Sequence, residues 1–181
     1  MGGAPQQRGV EFGLSPGWVA LACVIPAALA CVAPVALVDG RWRAAASGAS
    51  VVDLAALEPG WRRTSFEGPL LAFEAADGAR ASWLRRCPGS TASSRAEGHA
   101  LLIALEAVEV RHEEPVSLAG RPAWILDASA REAGRPVRLK SVTRAAGGCT
   151  DDFLLVTSAD PAAHEGAFDR WWASYQSGRP D

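Results

Sequence analysis

Four cysteines, three histidines and a few neighbouring carboxylates are the side chains of this 181-residue chain whose types and spacing bear on chemistry. Cys87 and Cys149 stand well beyond the first two cysteines, and in an exported domain such a pair is most simply read as one disulfide. Closing a loop of roughly sixty residues, the bond would contribute on the order of 4 kcal/mol, less any strain. In a cytoplasmic domain the same residues would be separate thiols, so disulfide and export form one expectation. Neither cysteine has a second cysteine or histidine at ligand spacing, which argues against zinc. His99, His112 and His164 fall on three different predicted elements, and none has a HExxH context. His112 beside Glu113-Glu114 is a pattern that serves acid–base chemistry, with a solvated strand face as the simpler reading. Asp151-Asp152 with Asp127 is an acidic set that a polar turn opening a strand explains. Only a fold that gathered His112, Asp127 and Asp151 into one cleft would make a hydrolase of them. GxSxG, phosphate-loop and dinucleotide fingerprints are absent, and the serines at 90, 93 and 94 read as helix caps. No catalytic, cofactor or metal residue is assigned, and a non-enzymatic protein is expected.

Cys31 and Cys23 carry a different chemistry. Ala28-Leu29-Ala30-Cys31 and Ala20-Leu21-Ala22-Cys23 each place a small residue just before a cysteine, as the bacterial lipobox does. Cys31 is the better lipidation candidate, because cleavage before Cys23 would leave the apolar VIPAALACVAPVALV attached; leucine is the commoner residue where Ala28 stands. Both lie in Trp18–Val38, which has no charged side chain and suffices for a membrane-crossing helix. Arg8 upstream and Asp39-Gly40-Arg41 downstream complete the order of a secretory signal. The other outcomes are an uncleaved anchor flanked by Trp18 and Trp42, or cleavage after Ala30 with release of a soluble protein. Pro26 and Pro34 argue against a buried core helix. Arg41 and Arg43 outnumber Arg8, which taken alone would hold the domain in the cytoplasm, but by a single charge. The expectation is an exported, envelope-tethered protein, held by a lipid or by one helix, with a protein partner there.

The elements that must position these residues follow from pattern. Residues 1–38 form the N-terminal region, 39–50 a tether of small residues, 51–177 one globular domain and 178–181 a tail. VVDLAALEPG starts with a short helical turn, and Trp61 to Phe66 is a first strand. LLAFEA and ARASWLRR flank Asp77-Gly78 as a hairpin. Ser90 to Ser94 cap a helix running to about Ala107, with Leu101, Leu102, Leu105 and Val108 as its apolar face. Strands VEVRHEEPVSL, AWILDASA, PVRLKSVTR and DFLLVTSA follow, separated by turns at Gly120-Arg121-Pro122, Glu132-Ala133-Gly134 and Gly147-Gly148. In the third, Arg138, Lys140, Val142 and Arg144 alternate with Val137, Leu139, Ser141 and Thr143, implying one wet face. The fourth is apolar on both sides and belongs in the centre of a sheet. Asp160-Pro161 opens a last helix in which His164, Phe168, Trp171, Trp172 and Tyr175 share a face. That stripe packs across the sheet or, alternatively, lines a carrier pocket for an apolar small molecule. The result is an α+β domain, an antiparallel sheet of about six strands packed by two helices. A formal charge of −2 gives no basic surface for nucleic acid.

Three stretches carry a family resemblance: Ala119-Gly120-Arg121-Pro122-Ala123 opening one strand, Gly148-Cys149-Thr150-Asp151-Asp152-Phe153-Leu154 opening another, and Phe168 to Tyr175 in the last helix. In this layout, over roughly residues 60–176, the chain resembles the PsbP/Mog1-like domains, with small bacterial lipoproteins among chains of similar layout. The resemblance implies binding and assembly on larger complexes, hence an accessory role, and carries over no site residues.

Overall fold

A computed structural model of the chain describes residues 35–45, 51–65, 71–87, 91–158 and 161–177. All of them belong to the second of two compact units, Cys31–Asp181. Residues 1–34 lie outside the described residues, and with them Cys23, Cys31 and most of the apolar run. In chain order the elements are β1 (Val35–Val38), β2 (Arg41–Ala45), β3 (Val51–Ala55), β4 (Trp61–Thr64), β5 (Leu71–Ala75) and β6 (Arg80–Arg86). Then come α1 (Ser94–Ala100), β7 (Glu106–Leu118), β8 (Arg121–Glu132), β9 (Arg135–Ala146), β10 (Cys149–Thr157), α2 (Ala162–Ala173) and β11 (Gln176–Ser177).

The domain is α+β, as expected, but its strands begin earlier than the pattern implied. β1 and β2 pair antiparallel around Asp39-Gly40, whose φ angles of 50° and 71° are those of a two-residue type I′ turn. The last four residues of the apolar run and Arg41–Ala45 of the expected tether are therefore strands, and the fold reaches back to Val35. Trp42, read as an interfacial residue, meets Phe73 edge-on at 5.8 Å and lies beneath Arg63. Its partly buried ring packs against the core. Val51–Ala55, expected to begin a helical turn, is a strand flanked by β2 and β11; its β-branched pair Val51-Val52 suits that state.

Instead of one sheet of about six strands there are two among the described residues. Seven strands run in the order β4-β5-β6-β10-β9-β8-β7, and four in the order β1-β2-β3-β11. β10 holds the middle of the larger sheet, as its two apolar faces require. Ala119-Gly120 and Ala133-Gly134 repeat the left-handed turn geometry between β7, β8 and β9, with φ of 50° at each alanine.

Side-chain alternation sorts β10 between two cores. Phe153 and Leu155 pack with Trp83, Phe168, Trp171 and Tyr175 on the face covered by α2 and the small sheet. Leu154 and Val156 point the other way, toward Leu126, Leu139 and Leu102, where α1 crosses. α1 is one short helix rather than a run to Ala107. The Ser93 hydroxyl caps it, accepting from the Ala96 amide at 3.3 Å, and Glu106 is already paired with Arg131 of β8. From Glu106 onward, pairing with β8 claims the end of the stretch that an amphipathic pattern assigned to helix, and residues 101–104 form turns. α2 starts at Ala162 with Pro161 at the N-cap position and no side-chain cap; Asp160 lies outside the described residues. No helix among the described residues is long and apolar enough to cross a membrane.

Candidate functional site

β6 and β10 end side by side, with Arg86 opposite Thr150, so the next residues out, Cys87 and Cys149, meet across the ladder. They form a disulfide with their Cα atoms 4.5 Å apart. The polar chemistry of the larger sheet gathers just inside this bridge. It is organised by the adjacent residues Asp151 and Asp152, which are buried within a strand rather than exposed in a turn.

Asp151 points to the α2 face. Arg144, opposite it on β9, places Nη2 2.6 Å and Nε 3.2 Å from Oδ2. Arg85, opposite it on β6, reaches Oδ1 at 3.3 Å, and the Trp83 indole donates to the same oxygen at 3.4 Å. The Tyr175 hydroxyl donates to Oδ2 at 3.0 Å and accepts from Arg144 at 2.6 Å. The Arg144 guanidinium also lies 4.8 Å from the centre of the Tyr175 ring. Burial, with Asp151 beside it, pushes the Tyr175 phenol well above its ordinary range, so it remains a donor. Three strands and the chain just after α2 are joined at this one carboxylate. Arg144, expected on a wet face, is instead 5% exposed.

Asp152 points to the α1 face with fewer partners. Arg86 donates Nη2 to it at 2.8 Å and, with the same nitrogen, to Glu97 of α1 at 3.1 Å. Thr143 donates to its other oxygen at 3.0 Å. Two buried carboxylates thus share one half-exposed guanidinium. Burial raises the Asp152 carboxyl above its ordinary value.

The remaining candidates stay apart. Among the described residues no group of three His, Cys, Asp or Glu side chains could hold a metal ion. His164 pairs with Asp77 at 2.7 Å, a contact that lowers the Asp77 carboxyl, while His112 lies 3.5 Å from Glu114 on an exposed strand face. Asp127 faces His112 across β7 and β8, but both its oxygens take Arg138 at 3.0 Å. Asp151 is on β10 with its own arginines, so the set that would define a hydrolase does not form. Glu113, read as solvated, is held by Arg95 at 2.5 Å, His99 at 2.8 Å and the Trp124 indole at 3.2 Å. Arg95 foremost, then His99, bring its carboxyl down to about 2. Its partners come from α1 and β8, so no local motif announces the cluster. On the aromatic face, Phe168, Trp171 and Tyr175 are buried, and Trp171 meets Phe73 and Phe153 edge-on at 5.7 and 5.5 Å. These rings belong to the main hydrophobic core.

No family model and no curated protein matches the sequence. Solved structures do. The chain is similar to LpqN of Mycobacterium tuberculosis, described as involved in cell envelope biogenesis, at 15% identity and a TM-score of 0.56, over 74% of this chain and 87% of that one. It is similar to the cyanobacterial PsbP, CyanoP, of Synechocystis sp. PCC 6803 at 12% identity and a TM-score of 0.52, over 77% of this chain and 93% of that one. The domain has the PsbP/Mog1-like fold, as the sequence resemblance implied.

Proposed function

We propose that this PsbP/Mog1-like domain is a non-enzymatic accessory protein of the cell envelope, exported and tethered to a membrane, that acts by binding a protein partner. The observation that carries the reading is the Cys87–Cys149 disulfide, because such bonds form and persist outside the reducing cytoplasm. The uncharged apolar run ahead of the fold supports the tether. Because β1 begins at Val35, only residues 18–34 remain for a spanning helix, at the short end of the usual range, which favours lipidation at Cys31 over a helical anchor. The envelope role described for LpqN is in keeping with this compartment. The polar clusters at Asp151 and Asp152 support a structural rather than a catalytic role, since each carboxylate is engaged by side chains of the fold. A carrier role has no corresponding support, since interlocked rings occupy the aromatic face.

The test is fractionation of cells expressing the full chain, followed by crosslinking and affinity recovery from the membrane fraction. Sedimentation with membranes and repeated recovery of one envelope protein is the expected outcome. A chain found in the cytosol with free Cys87 and Cys149 thiols would overturn the reading.

A further inference from the structure

We infer that the tip of the β1–β2 hairpin rests on the lipid surface of the membrane that holds the tether, at headgroup depth. The inference deepens the proposed tethering and rests on it. Leu37 is 53% and Val38 39% exposed, whereas Ala44 and Leu54 of the same sheet are 2% and 0% exposed. The type I′ turn at Asp39-Gly40 fixes this adjacent apolar pair at the hairpin tip.

Chain length supplies the occupant. Residues 32–34 alone separate Cys31 from Val35, and the four extended steps between them span at most about 14 Å. Leu37 lies about 7 Å further along the strand. A lipid on Cys31, or a helix ending near residue 34, therefore keeps the tip within reach of the interfacial layer. The neighbouring side chains suit phospholipid headgroups. Arg63 stacks over Trp42, which lies opposite Leu37, and Arg43, on the other face of the hairpin and paired with Asp53 at 3.2 Å, is still 47% exposed. The exposed Asp39 at the turn opposes entry into hydrocarbon, which sets the depth at the headgroups.

The experiment uses the full-length protein in phospholipid vesicles containing some phosphatidylglycerol, with Leu37 replaced by a dansyl-bearing amino acid. A second protein carries the probe at Ile103, also apolar and 84% exposed, beyond α1. Nitroxide-labelled lipids with the spin label near the headgroup are the quencher. Quenching several-fold stronger at position 37 than at 103 is expected. Equal or weaker quenching at 37, with the protein still sedimenting with vesicles, overturns hairpin docking and leaves the tether standing. Protein in the supernatant overturns both. A probe at Val38 repeats the measurement should substitution at Leu37 disturb the fold.

Discussion

Asp151 and Asp152 are adjacent on one strand and equally buried, yet strand alternation sends them to opposite faces of the sheet and into different electrostatic surroundings. On the α2 face Asp151 receives two arginines, a tyrosine hydroxyl and an indole, so its charge is neutralised and its lone pairs are occupied. On the α1 face Asp152 shares one partly solvated arginine with Glu97, and desolvation dominates its ionisation. Burial alone therefore does not decide the cost of a carboxylate; the number and exclusivity of its donors do. The α2 face behaves as a locked joint between strands and C-terminal chain, and the α1 face as a looser seam.

The largest expected effect tests the locked joint. Asp151→Ala leaves Arg144 buried without a carboxylate and is expected to cost about 3–5 kcal/mol in denaturant unfolding. Tyr175→Phe removes the hydroxyl that bridges Asp151 and Arg144 and is expected to cost about 1–3 kcal/mol by the same assay. Asp152→Asn should cost only about 1 kcal/mol at neutral pH, since the amide keeps an acceptor for Thr143 and avoids a buried charge. Equal losses for Asp151→Ala and Asp152→Asn would erase the distinction between the faces.

The pH dependence sharpens it further. Because the folded-state pKa of Asp152 lies above its ordinary 3.8, its contribution is fully present below that value and is lost as pH rises through the folded pKa. Asp152→Asn should remove that decline from a plot of melting temperature against pH. Glu113 has the opposite sign. Its pKa falls from 4.5 to about 2, so its contribution is present above pH 4.5 and is lost as pH falls toward 2. Glu113→Gln should lower stability slightly at neutral pH, a loss that disappears as pH falls toward 2 and leaves the acid limb flatter, the smallest effect of the set.

Much of the fold was legible because it is local. The turns between β7, β8, β9 and β10 are marked by Gly120, Gly134 and Gly147-Gly148, and the hydrophobic pattern of DFLLVTSA places it centrally. The stripe of Phe168, Trp171 and Tyr175 reads as core and is core. The misreadings share a cause, which is competition from tertiary structure. Asp39-Gly40 makes a two-residue hairpin, the same signal as Asp77-Gly78, but VALV ahead of it is indistinguishable from the apolar run it continues. Leu101 to Ala107 has helical periodicity, yet β8 offers a partner strand from Glu106 onward. Asp151-Asp152 looks like a turn because the arginines that make its burial tolerable lie on β6 and β9, 66 and 7 residues away. The pairing of Cys87 with Cys149 was legible from compartment logic, and register explains it in retrospect, since the two residues close the β6–β10 ladder.

Export and tethering of the domain together are decided by the intact mass of the native full-length protein, taken with and without reduction. The predicted result is a chain that begins at a lipid-bearing Cys31 and gains two hydrogen atoms on reduction. An unprocessed, lipid-free chain whose mass does not change on reduction would contradict it.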